Sequence, residues 1–156
     1  MKITQKYATL NRTKIADKIV EFLKIHDTNC KDIRFETIHN YIDIENMVVR
    51  KGAISAKKGE KLLIPLNMRG SCIIGISKGN EDWNYSAPHG AGRVLSRSKA
   101  KELLKMQDFK DSMKDVWTSS VCEEILDESP MTYKPMEDIL GNINDIIEVM
   151  NIIKPI

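Results

Sequence analysis

His89 stands in Ser86-Ala87-Pro88-His89-Gly90-Ala91-Gly92-Arg93, the stretch of this sequence best equipped for chemistry. Pro88 stiffens the approach, and Gly90-Ala91-Gly92 lets the backbone turn sharply and bring bare N–H groups close to an anion. Arg93 adds a planar fork of donors suited to phosphate oxygens. A phosphate held there lies beside an imidazole nitrogen, so His89 is a candidate nucleophile that attacks phosphorus and carries a phosphoryl or nucleotidyl group. Taken alone, a His-Gly-Ala-Gly turn is more commonly structural, because short glycine motifs recur by chance.

The elements around this loop must position it. Ala8, Ile15, Ile19, Phe22 and Leu23 recur at helical spacing, which predicts an amphipathic helix from Tyr7 to Leu23, with His26 near its C-terminal end. Arg34 to Ile42 alternates and is rich in β-branched and aromatic residues, so it predicts a strand with His39 on the face of Phe35, Thr37 and Tyr41. A histidine so placed is more often a satisfied core residue than a ligand. The adjacent Asn40 keeps the alternative open, because an amide beside an imidazole can hold a nucleotide phosphate or a metal-bound water. Met47 to Ala56 and Lys61 to Pro65, joined through Lys57-Lys58-Gly59-Glu60, predict a β-hairpin that Pro65 stops. A polar loop, Leu66-Asn67-Met68-Arg69-Gly70-Ser71, precedes a strand from Cys72 to Ile76, and such loops concentrate binding residues. Trp83 and Tyr85 can stack on a base, although anchoring the loop to the core is the commoner role.

Beyond Arg93, Ser96 or Ser98 can cap a helix with Ala100, Leu103 and Leu104 on its buried face, which sets a helix N-terminus beside the loop. Asp127 to Pro135 is irregular and proline-punctuated. A last helix starts at Met136, burying Ile139, Leu140, Ile143, Ile146, Ile147 and Met150, and Val149 to Ile153 can continue as a short strand. Helices mixed with strands in this way predict an α+β fold.

At 156 residues, the chain has the size of one ordinary domain with one core. Its 42% apolar and 29% charged residues are usual for a globular protein and argue against disorder. No run approaches a membrane span and the first residues lack the apolar centre of a signal peptide, so a cytoplasmic location with no membrane partner is expected. Cys30, Cys72 and Cys122 are widely spaced, without a Cys-x-x-Cys pair, and read as reduced thiols. The net charge of +2 hides an uneven distribution: Arg93, Arg97, Lys99, Lys101 and Lys105 crowd behind the histidine loop, while eight acids fall between Glu123 and Glu148. The basic run fits a polyanionic substrate, though a solvated helix face is the commoner origin of such a run.

Six blocks together resemble the RtcB family of RNA-splicing ligases in its shorter form. They are Tyr7-Ala8 with Asn11-Arg12, Ile38 to Tyr41, Val49 to Ala56, Ile64 to Arg69, Ala87 to Arg93 and Asp127 to Lys134, in that family's order and over nearly the whole chain. The resemblance implies the C-terminal portion of that fold and a ligase that joins RNA 3′-phosphate or 2′,3′-cyclic phosphate ends to 5′-hydroxyl ends, using GTP and manganese (Mn2+). It implies that His89 takes GMP, that His39 is a manganese ligand, and that Asn40 lies beside the nucleotide. It further implies that Pro65, Leu66, Asn67, Met68 and Ser71 form a nucleotide-binding loop. Gly90, Ala91 and Gly92, followed by Arg93, would cradle the guanylate phosphate, and Tyr133 would lie on guanine.

The sequence also departs from the family pattern. The upstream motifs carrying an aspartate, a cysteine and two further histidine ligands have no counterpart here, neither Cys30 nor His26 maps onto them, and the family's C-terminal lysine is absent after Lys154-Pro155-Ile156. Manganese affinity should be weakened accordingly. Three readings follow: the C-terminal part of an RNA ligase that is active when a second chain supplies the missing half, a non-catalytic module that binds nucleotide or RNA ends, and a decayed gene fragment.

Overall fold

The structure, a computed structural model, describes residues 2–25 and 34–156. His26 and Cys30 lie outside the described residues. The chain forms two compact units, 1–34 and 35–156. The first contains α1 (Lys2–Phe22), where the predicted helix stands but buries none of its residues within its own unit. Its periodicity reports an apolar stripe, with Ile15 and Ile19 each 53% exposed, and not a partner for that stripe.

The second unit is α+β and carries two antiparallel three-stranded sheets. In the first, β2 (Val48–Ser55) is central between β1 (His39–Asp43) and β5 (Ser86–Pro88). In the second, β4 (Cys72–Ser77) is central between β3 (Lys61–Pro65) and β6 (Ile147–Ile153). The hairpin expected from β2 to β3 is therefore wrong: the two strands belong to different sheets. Both edges of β2 are already taken by β1 and β5, so the chain leaves that sheet after Ser55. Glu60 closes the crossover, its carboxylate accepting from the Ser55 hydroxyl at 2.7 Å and the Lys57 N–H at 2.8 Å.

The strand expected from Arg34 begins only at His39, and His39 is exposed instead of facing a core. The cause is an irregularity at Asn40, where the pairing passes from His39↔Ile54 to Tyr41↔Arg50, setting Lys51, Gly52 and Ala53 opposite the single residue Asn40. Extra residues on one strand kink the ladder and re-aim side chains. In the other sheet Gly75 lets β6 approach closely, since a Cβ there would lie 2.3 Å from Ile147 Cγ2. That approach also corrects the last helix: α4 (Met136–Ile143) ends earlier than the apolar spacing suggests, and Met150 lies exposed on β6.

One apolar core joins both sheets to α4 through Ile54, Leu62, Ile64, Ile73, Ile143 and Ile146. A second, built on Phe109, Met113 and Leu126, lies under α3 (Met106–Met113) and a 3-10 segment, Glu123–Glu128. The single core expected from length is thus divided, and α3 was not foreseen. Beside the second core, which Leu104 joins, runs α2 (Arg97–Leu103), capped by the Ser96 hydroxyl as one of the two serines expected for the role. It buries Ala100, whereas Leu103 is 62% exposed. Among the described residues no helix is long and apolar enough to cross a membrane.

Candidate functional site

Gly52 is the residue on which the site turns, and the sequence reading passed over it. It lies in the left-handed region at φ 67°, opposite Asn40, itself at φ 55°. Two such residues facing each other throw both peptide groups of Gly52 off the ladder. Its N–H donates to Asn40 Oδ1 at 2.6 Å, and its carbonyl meets His89 Nδ1 at 2.6 Å. A carbonyl can only accept, so Nδ1 must carry a proton, and in the neutral imidazole Nε2 then holds the lone pair. The backbone of β2 thereby selects the tautomer of an exposed histidine. The His39 ring lies parallel to that of His89, 8° apart in plane with centroids at 5.1 Å. The structure brings His39, Asn40 and His89 together around Gly52.

An added Cβ at Gly52 would stand 3.5 Å from His89 Cε1, ordinary contact, so space is not the constraint. Conformation is. Gly52→Ala is expected to lose about 1–2 kcal/mol of stability through the left-handed backbone, and Gly52→Asn, which tolerates that region, to lose less. Relaxation to negative φ would swing the carbonyl from His89, so the side-chain nitrogen resonances of His89 should report a tautomer mixture in Gly52→Ala. An alanine variant as stable as the parent with an unmixed tautomer would contradict this account.

The histidine loop is keyed to both sheets. Through β5 it pairs with β2 (Ala53↔Pro88), and Gly90 sits so close to the end of β3 that a Cβ would lie 3.1 Å from the Pro65 carbonyl oxygen. Among the described residues the N–H groups of Gly90 and Ala91 have no acceptor. Gly92, at φ 72°, accepts the Lys134 N–H at 3.1 Å, and Arg93 bridges to Tyr133, tying the loop to the segment after the second 3-10 turn, Pro130–Thr132.

Pro65 borders this junction, but the rest of its loop is turned to other uses. Leu66 is buried and donates to the Ser71 carbonyl at 3.1 Å, Asn67 Oδ1 accepts the Arg69 N–H at 3.1 Å, and Met68 packs on the second core. Ser71 is 5% exposed.

Arg93 is also committed. Nε donates to the Leu95 carbonyl at 3.1 Å and Nη2 to the Asp127 carbonyl at 2.5 Å, while Nη1 faces Glu128 at 3.3 Å and the guanidinium lies over the Tyr133 ring at 5.2 Å. Tyr133 donates its hydroxyl to Glu128. Partial burial, together with the Glu128 carboxylate, pushes the Tyr133 phenol above its ordinary value, so it stays protonated. Part of the basic run behind the loop is neutralised by acids some thirty residues downstream: Arg97 lies 3.6 Å from Asp127 and 3.3 Å from Glu128, and Lys101 3.5 Å from Asp127. The free cationic face expected from sequence is to that extent corrected.

Beneath the loop Arg50, 3% exposed, holds the approach to β5. It donates to the Ser86 hydroxyl at 2.9 Å and to the Asn84 and Tyr85 carbonyls, each at 3.3 Å. Asn84 and Tyr85 are successive left-handed residues, at φ 49° and 50°, a conformation that needs outside support. Asp43 anchors Arg50 from the other side at 3.4 Å. Hydrogen bonds from Asn46, with the charge of Lys57, draw the Asp43 carboxyl down to about 2.

The histidine opens on a cleft of about 610 Å³ whose lining includes Gly52, Trp83, the Gly90 to Gly92 turn and residues of α4. Among the described residues no three His, Cys, Asp or Glu side chains converge as a metal site. His39 is the candidate ligand beside His89, and the described residues do not by themselves make a manganese site.

A family model described as tRNA-splicing ligase RtcB matches residues 1–156. RNA-splicing ligase RtcB of Escherichia coli strain K12 is 32% identical over 166 aligned positions, covering 94% of this chain and 39% of the relative. RNA-splicing ligase RtcB1 of Escherichia coli strain ATCC 25922 gives the same identity and coverage. The chain thus spans well under half the length of these relatives.

Proposed function

Because the chain belongs to the RtcB tRNA-splicing ligase family, we propose that it carries the nucleotidyl-transfer part of an RNA ligase, with His89 as the covalent carrier. Nε2 attacks the α-phosphorus of GTP, a P–N bond forms, and pyrophosphate leaves as the P–O bond breaks. An oxygen of an RNA 3′-phosphate then attacks the same phosphorus, the P–N bond breaks, and GMP now caps the RNA end. A 5′-hydroxyl attacks the capped phosphate, releasing GMP and closing the phosphodiester. The observation that carries this reading is the 2.6 Å contact of Nδ1 with the Gly52 carbonyl, which leaves the Nε2 lone pair available and so supports Nε2 as the nucleophilic atom.

Asn40 acts through Gly52, and His39 lies against His89, where it is a candidate manganese donor. The remaining donors have to come from outside the described residues, as from a second chain equivalent to the upstream part of a relative. Tyr133, held protonated over Arg93, offers its ring to a guanine base. Arg93 then serves to position Tyr133 and Gly92 more than to grip phosphate. The non-catalytic alternative, a nucleotide- or RNA-binding fragment or split-ligase subunit, draws on the same observation that His39 stands without companion ligands among the described residues.

The test is incubation with GTP labelled at the α-phosphate and manganese, with and without the upstream part of a relative supplied as a separate chain. An acid-labile, alkali-stable adduct on this chain, formed when the second chain is present, supports the ligase reading. No adduct under any combination leaves the binding module as the better description.

A further inference from the structure

A second cleft, of about 500 Å³, is lined by residues of β1, of β3 and of the crossover between the two sheets, and it shares no lining residue with the cleft beside His89. We propose that it is an effector site for a small organic carboxylate with an apolar body, and that its occupancy is felt at the histidine loop through Arg50. Nothing in it depends on the chemistry assigned to His89. Its volume falls within the range of roughly 300–1,000 Å³ that small-ligand sites occupy. Phe35 and Leu62 line it with apolar surface.

The hydrogen bonds around this cleft indicate the charge of its ligand. The acids are engaged: Asp43 accepts from Asn46 and Arg50 and lies 3.4 Å from the Lys57 ammonium, Glu60 accepts from the Ser55 hydroxyl and the Lys57 N–H, and Glu36 is not free. Three donors are left over. The Tyr41 hydroxyl oxygen accepts from Arg50 Nη1 at 3.1 Å and the Thr37 hydroxyl oxygen from the Leu63 N–H at 3.1 Å, yet among the described residues neither hydroxyl hydrogen has an acceptor. Lys61, whose ammonium stands 6.0 Å from the centre of the Phe35 ring, has no acid partner among the described residues. Free donors beside engaged acids select a ligand that accepts, and the nearby Asp43 and Glu60 charges oppose a dianion, so a carboxylate suits the cleft better than a phosphate. Tyr41 is the link to the histidine loop. An anion that takes its hydrogen makes its oxygen a stronger acceptor for Arg50, because successive hydrogen bonds polarise one another. Arg50 in turn holds Ser86 and the Asn84 and Tyr85 carbonyls at the entry to β5, the strand that leads to His89.

The test titrates the full chain with phenylacetate, without GTP or metal, while its resonances are followed by NMR. Saturable shifts are expected at Thr37, Tyr41 and Leu62, with a Kd on the order of 1–10 mM for so small a probe, and they should extend to Ser86 and His89. Phenylacetamide, which keeps the shape and lacks the charge, should bind about tenfold more weakly, and inorganic phosphate should leave these residues unmoved. Lys61→Met, which keeps the aliphatic stem, should raise the Kd about threefold to tenfold. Tyr41→Phe should do the same and also silence the response at Ser86 and His89. Lys61 is exposed, so its variant decides the matter should Tyr41→Phe disturb the fold. Shifts that are absent or never saturate overturn the site, as do equal affinity for the amide, equal shifts with phosphate, or a Kd unchanged in Lys61→Met. Shifts that stop short of His89 at saturation, or reach it undiminished in Tyr41→Phe, overturn the effector role. Because the readout is binding, loss of the guanylate adduct in any variant bears only on the ligase reading.

Discussion

His89→Ala is expected to abolish the covalent guanylate adduct outright, with no residual slow reaction. No neighbouring group can replace it: the nearest imidazole, His39, lies parallel at 5.1 Å between ring centroids and lacks the Gly52 contact that selects a nucleophilic nitrogen. The adduct formed by the parent chain with its complement should be stable in alkali and lost in acid, because protonation of the ring nitrogen turns imidazole into a good leaving group. His39→Ala should behave differently, reducing the adduct by about tenfold to a hundredfold in a manner partly recovered by more manganese if His39 is one ligand among several. Mass measurement of tryptic peptides locates the label. An adduct of normal yield in His89→Ala, or one carried on another residue, would remove His89 from the mechanism and return its loop to a structural turn.

The largest effect on stability is expected from Arg50→Met. Removing one member of a buried ion pair leaves the other charge without compensation, which costs roughly 3–5 kcal/mol. Asp43 keeps Asn46 and Lys57, so about 3 kcal/mol is the better expectation, seen as a lower denaturation midpoint with an unchanged slope. The same change strips donors from the Asn84 and Tyr85 carbonyls, and guanylation should fall with it. Arg50→Lys keeps the charge, loses the fork, and should fall between. Asp43 supplies a pH check on the same network. Its folded-state value is lowered from 3.8 to about 2, so its contribution is complete above pH 4 and is lost as pH falls towards 2. Asn46→Ala, which removes the main cause of that lowering, should flatten the acid limb. A midpoint shift in Arg50→Met worth less than about 1 kcal/mol would show that Arg50 is not a keystone.

Side-chain chemistry was legible in the sequence where it acts locally. The β4 strand, the start of α4, the Ser96 cap and the glycine turn after His89 follow from alternation, proline, glycine and capping residues, all read within a few positions. Pairings set by distant partners were not. Lys57-Lys58-Gly59-Glu60 has hairpin turn chemistry, yet Gly59 N–H bonds to the Ser77 carbonyl at 2.9 Å, so the turn serves β4 instead of joining β2 to β3. The positive run from Arg93 to Lys105 gave no sign of the acids that meet it, because those lie on a 3-10 segment whose place is fixed by the second core. Gly52 was missed for another reason. It acts through its peptide N–H and carbonyl, which nearly every residue possesses, and only a glycine in the middle of a strand hinted that the backbone does something unusual there.

The double attachment of the histidine loop has a mechanical consequence. One end is stitched to β2, the other is wedged against the carbonyl of Pro65 at the tip of β3, and the two strands belong to separate sheets. The loop is therefore a strut laid across a joint, with Ala87 and Ala91 packed into the shared core. A displacement of one sheet against the other would reach the loop through both attachments, and the imidazole sits between them.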